Sequence, residues 1–104
     1  MEKIHIIITD DHQLFRNGLK ILLNSFPDFE VTGEASNGEE FVNLLKNTKA
    51  EIALMDINMP EMDGIEATRR GLRINPEINI IALSMYGEEE YYYKMIDAGA
   101  RGFL

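Results

Sequence analysis

The 104-residue chain has no cysteine, only three prolines and no apolar run long enough to cross a bilayer. Without cysteine there are neither disulfides nor thiolate metal sites, and a reducing compartment suits it. The branched run Ile6-Ile7-Ile8 is bracketed by His5 and by Thr9-Asp10-Asp11, far short of a signal peptide or a membrane span. A cytoplasmic location is the expectation. Positive charge is also scarce: ten Lys and Arg face eighteen Asp and Glu, a net charge of −8. Such a field repels phosphate backbones and anionic membranes, which argues against direct nucleic-acid contact. With 45% hydrophobic residues, scattered Gly and Pro and no internal repeat, residues 1–104 read as one globular domain.

Apolar runs of strand length alternate with segments of helical period, the pattern of stacked βαβ units around a parallel sheet. Ile4 to Thr9 reads as a first strand buried on both faces, followed by a helix from His12 to Ser25 that Pro27 ends. Phe29, Val31, Gly33 and Ala35 alternate with Glu30, Thr32 and Glu34, so the second strand is expected half exposed at a sheet edge. Asn37 and Glu40 resemble a capping box before a second helix bearing Phe41, Leu44 and Leu45. Ile52–Met55 and Ile78–Leu83 are expected as the third and fourth strands, with a helix from Ile65 to Ile74 between them. A fourth helix is expected from Glu88 to Ala98, and Gly102-Phe103-Leu104 opens a fifth strand.

Polar groups then fall at equivalent places. Asp10-Asp11 follow the first strand, Asp56 the third and Ser84 the fourth, all at the carboxyl ends where open α/β sheets bind ligands. Neighbouring carboxylates disfavour one another's charge, and a hard divalent cation such as Mg²⁺ resolves the conflict. Helix capping is the plainer reading of one such Asp, but two adjacent Asp with a third on another strand favour the metal. Asp56 beside that cation is equipped as a nucleophile toward a phosphoryl group. His5 within a strand and His12 at a helix start read as packing or capping residues, and Met55, Met59 and Met62 as packing. Of Tyr91-Tyr92-Tyr93 at least one ring must be exposed; Tyr92, Met95 and Ile96 are expected to face the sheet. Exposed rings there are an equally weighted candidate docking face.

Asp10-Asp11, Asp56 followed by Met59-Pro60 and Asp63-Gly64, Ser84, and the run from Ala98 to Phe103 together resemble the receiver domains of two-component response regulators. The resemblance covers essentially the whole chain. It implies a flavodoxin-like, chemotaxis-regulator-like α/β fold with strand order 2-1-3-4-5. It implies Asp56 as phosphoacceptor from a sensor histidine kinase, and Mg²⁺ held by Asp10, Asp11, Asp56 and the backbone carbonyl of Asn58. Ser84 is similar to the family's switch hydroxyl and Phe103 to its switch aromatic. GEASNGEE, MDGIEATRR and the AGARGFL ending look most like the NarL/FixJ-like branch, whose receivers precede a DNA-binding helix-turn-helix module and control transcription.

The resemblance also implies a Lys two residues beyond Leu104 and a fifth helix, and neither is in the sequence. A C-terminally truncated receiver is therefore expected, with one sheet face covered mainly by the first helix. Such a chain is expected either to form a homodimer, through exchanged elements, or to be incompletely ordered at its end. Three other functions remain open. A flavin or nucleotide carrier wants backbone donors, not Asp10-Asp11, after its first strand. A haloacid dehalogenase-like phosphatase wants Asp-x-Asp there. A degenerate receiver would bind partners without being phosphorylated.

Overall fold

The computed structural model describes residues 2–83 and 89–104. Nine elements alternate along the chain: β1 (Ile4–Thr9), α1 (Gln13–Asn24), β2 (Phe29–Ala35), α2 (Gly38–Leu45), β3 (Ile52–Asp56), α3 (Gly64–Ile74), β4 (Asn79–Leu83), α4 (Glu89–Ala98) and β5 (Gly102–Phe103). The strands form one parallel sheet in the order β2-β1-β3-β4-β5, which puts β2 at an edge as its alternating pattern predicts. Ser84, and the Glu88 expected to open the fourth helix, lie outside the described residues.

Successive strand residues point to opposite faces, and this alternation divides the core. One face carries Ile7, Ala53, Met55, Ile80 and Ala82, buried with Phe41 and Leu45 of α2, Ala67 of α3 and Met95 of α4. The other carries Ile6, Ile8 and Leu54, packed by Leu19 and Leu23 of α1 and flanked by half-buried Ile81 and Leu83. On α1 the apolar side chains packed against this core are Leu19 and Leu23; no α1 residue is fully buried, and Leu14 is 87% exposed, with Ile21 and Leu22 also exposed. The expected apolar content of that helix therefore divides between two stripes, one of which faces solvent.

Helix ends follow the side-chain chemistry. Asn37 accepts from the Glu40 backbone N–H at 2.9 Å, but Glu40 returns to the Ser36 N–H at 2.7 Å, so the capping box is shifted by one residue. Asp63 caps α3 by accepting from the Glu66 N–H at 3.0 Å. α4 ends where Gly99 adopts φ +117°, a left-handed conformation that suits glycine, and a Cβ there would lie 2.3 Å from Leu72 Cδ1. On α4 Met95 is buried and Tyr93 is 78% exposed, as the 3.6-residue period demands. Ile96, expected to face the sheet, is instead 47% exposed, while Tyr91 packs against the core in its place. The reason is angular: Tyr91 and Met95, four residues apart, share one stripe, and Ile96 lies about 100° from it.

Candidate functional site

β1 and β3 are adjacent with Thr9 opposite Met55, so one further step sets Asp10 level with Asp56. Ile6 to Thr9 of β1 and Ala53 to Met55 of β3 are buried, which holds the two carboxylates that follow at the carboxyl edge of the sheet. The Asp10 N–H donates to the Ala35 carbonyl at 3.0 Å, tying this turn to β2. Asp10 is only 5% exposed, Asp56 is half-buried, and Asp11 lies at the exposed rim.

The loop from β3 to α3 is held from two sides. The Gly64 N–H donates to the Ile57 carbonyl at 2.9 Å, and a Cβ on Gly64 would sit 2.1 Å from the Asp56 carbonyl oxygen. Only glycine allows that approach. From the other side the Gly38 N–H donates to the Met62 carbonyl at 3.1 Å, where a Cβ would come within 2.6 Å of the same oxygen. Between them Glu61 takes φ +69°, and the Met62 N–H donates to the Pro60 carbonyl at 2.8 Å in a tight three-residue turn. Met55 is buried, and Met59 and Met62 pack against the core, as a packing role requires.

Asp10, Asp11, His12 and Asp56 each offer one ligand atom, and these atoms all lie within 4.8 Å of one another. The Asp56 carboxyl is pushed up to about 6, first by burial and next by the charge of Asp10, with Asp11 adding to it. The backbone N–H groups of Ile57 and Asn58 donate to Asp56 and oppose that rise without cancelling it. The cluster thus holds more negative charge than its protein donors offset, and its oxygen-rich donor set fits a hard divalent cation. Asn58 is exposed immediately after the strand, with its N–H engaged by Asp56.

His12 corrects an expectation. Its backbone occupies the N-cap position of α1, but its side chain makes no capping hydrogen bond. Instead Nδ1 lies 2.8 Å from Asp10 Oδ1 and 3.2 Å from Asp11 Oδ1, so the ring belongs to the carboxylate cluster. The hydrogen bond to Asp10 and the charges of Asp11 and Asp10 raise its pKa above the ordinary imidazole value. The signal for this was the direct adjacency of His12 to two aspartates. Arg16 was also missed: its guanidinium donates to the Asp10 carbonyl and its Nε lies 3.4 Å from Glu34 Oε1, bracing β1 against β2. Phe103 stands apart, on β5, paired with Ala82 and its ring tilted against Tyr92 at 4.1 Å between centroids. Among the described residues no helix is long and apolar enough to cross a membrane.

Residues 6–104 match the model of the response regulator receiver domain. The transcriptional regulatory protein DegU of Brevibacillus brevis is 42% identical over 102 residues, covering 98% of this chain and 43% of the relative. LiaR of Bacillus subtilis, also a transcriptional regulatory protein, is 41% identical over 101 residues, covering 97% of this chain and 48% of the relative. This chain therefore spans about half the length of the curated relatives it matches. The signal receiver domain of the response regulator NarL from Mycobacterium tuberculosis superposes with a TM-score of 0.89 at 32% identity, covering 100% of this chain and 84% of that one. For the response regulator domain of Thermotoga maritima CheB the TM-score is 0.92 at 31% identity, covering 99% and 78%. With the sheet order and the carboxyl-edge aspartates described above, the chain belongs to the response regulator receiver domain family.

Proposed function

We propose that Asp56 is the phosphoacceptor of this receiver domain and that its donor is a phosphohistidine on a sensor kinase. The observation that carries the reading is the convergence of Asp10 and Asp11 on a half-buried Asp56 whose charge they disfavour. Above about pH 6 Asp56 is ionised and nucleophilic. One carboxylate oxygen attacks phosphorus, the P–N bond to the donor imidazole breaks, and that nitrogen keeps the electron pair and is protonated. The N–H groups of Ile57 and Asn58 orient the carboxylate for attack. Asp10, Asp11, Asp56 and the carbonyl of Asn58 would hold Mg²⁺, which supplies charge screening between carboxylate and phosphoryl group.

The same reading makes the domain a switch and not a turnover catalyst. Ser84 is the hydroxyl that recognises the phosphoryl oxygens, and Phe103 leaves Tyr92 and turns inward in the state that contact favours. A ligand shifts such an equilibrium only through differential affinity, and the Ser84 contact provides it. Because DegU and LiaR are named transcriptional regulatory proteins, the output proposed for the full-length protein is control of transcription. Incubation with a small phosphodonor and Mg²⁺ tests the proposal: one acid-stable, hydroxylamine-labile acyl phosphate per chain is expected. Sustained phosphate release would instead favour a haloacid dehalogenase-like phosphatase, and no labelling a degenerate receiver.

A further inference from the structure

We infer that Arg16 is a positioning residue for the acidic site: its guanidinium, gripped by Glu34, fixes the peptide between Asp10 and Asp11 and so the place of both carboxylates. The inference rests on the phosphoacceptor reading proposed above and names a group that acts through Asp10, not on the phosphoryl group. Arg16, Lys20 and Asn24 follow one another a turn apart on α1, and all three reach β2. Arg16 Nε lies 3.4 Å and Lys20 Nζ 3.1 Å from the Glu34 carboxylate, and Asn24 Oδ1 accepts from the Val31 N–H at 2.9 Å. Arg16 goes further and donates to the Asp10 carbonyl.

The Arg16 side chain is 13% exposed, and a guanidinium so nearly enclosed is costly to bury unless its donors are used. Nε meets Glu34 as a charge contact without the alignment of a hydrogen bond, so the bond to Asp10 is the directed one. That carbonyl belongs to the peptide linking Asp10 to Asp11. The Asp10 N–H is held by the Ala35 carbonyl of β2, and Asp10 Oδ1 accepts from the His12 N–H at 2.8 Å. With its carbonyl held as well, Asp10 cannot turn about its backbone without breaking one of these bonds. Loss of the guanidinium frees the carbonyl, while Lys20 and Asn24 still hold α1 on β2.

The test compares this chain with Arg16→Met, Arg16→Lys and Lys20→Met, the last removing a neighbouring partner of Glu34 without touching Asp10. In chelator, exchange of the His12 amide hydrogen should quicken about tenfold in Arg16→Met and stay parental in Lys20→Met. With a small phosphodonor, the Mg²⁺ concentration giving half the maximal labelling rate should rise about tenfold in Arg16→Met and stay parental in Lys20→Met. Arg16→Lys keeps the charge without the planar fork, so it should fall between parent and Arg16→Met in both readouts, and it carries the test if Arg16→Met does not fold. A merely structural strut would lower stability alike in Arg16→Met and Lys20→Met and leave both readouts parental. That result, with the parent labelled, would overturn the inference and leave the phosphoacceptor reading standing. No labelling of the parent would overturn that reading instead, and the exchange comparison would still decide the positioning.

Discussion

The sheet carries a histidine among carboxylates at each end, and the two clusters behave oppositely. At the amino end His5 Nδ1 lies 3.1 Å from Glu51 Oε1, its backbone N–H donates to the same oxygen at 2.8 Å, and Nε2 lies 3.8 Å from Glu30. The Glu51 backbone is also engaged, its N–H donating to the His5 carbonyl and its carbonyl accepting from Asn79. Donors led by the His5 N–H hold the Glu51 carboxyl below its ordinary value. At the carboxyl end three aspartates converge on one another and one ring, and burial with like charge drives Asp56 up to about 6. Residue types alone do not separate a structural clasp from a reactive site. What separates them is whether each carboxylate meets donors or other carboxylates.

The largest expected effect comes from Gly64→Ala. A Cβ 2.1 Å from the Asp56 carbonyl forces the end of β3 and the start of α3 apart, at a cost of about 3 kcal/mol in denaturant unfolding. A loss well under 1 kcal/mol would mean that the loop slides freely and Asp56 is not rigidly held.

Asp56→Asn, measured in chelator, should act in the opposite direction. The folded chain keeps a proton on Asp56 between its ordinary value of 3.8 and about 6, where the unfolded chain has lost it. Stability from this group is therefore greatest below that window, falls as pH rises through it and stays low above. The variant should remove that fall and be about 2 kcal/mol more stable than the parent at neutral pH, a figure reduced for the water that still reaches a half-buried group. Unchanged stability at neutral pH would erase the contrast between the two ends.

Glu51→Ala is the smaller test at the amino end, with an expected loss of about 1 kcal/mol. Its pH dependence runs the other way. Because the folded carboxyl sits below its ordinary value of 4.5, its contribution is present above that value and is lost as acid titrates the folded form. Acid unfolding of the variant compared with the parent at matched salt checks this; identical stability of the two across the acid range would remove the clasp.

Much of this fold was legible because its periods are clean. Near-continuous apolar runs give β1 and β3, alternation gives β2, and Asp63-Gly64 marks the start of α3 within one residue of its expected place. The carboxyl-edge aspartates followed from strand assignment alone, since parallel β1 and β3 deliver their last residues to one edge. What was not legible depends on rotation about single bonds or on which helix stripe finds a neighbour. Periodicity places Leu14 and Ile21 on α1 but does not say that the apolar packing on the sheet will come from Leu19 and Leu23. The turn of the His12 ring toward Asp10, and the reach of Arg16 to its carbonyl, are side-chain choices made by local charge, which the hydrophobic periods do not encode.

The central claim is that Asp56, and no other carboxylate of the cluster, takes the phosphoryl group. Parent and Asp56→Asn chains exposed to a small phosphodonor with Mg²⁺, then compared by intact mass with the fold checked by circular dichroism, test it directly. The account predicts one phosphoryl group on the parent and none on a folded variant. Equal labelling of the two would contradict it.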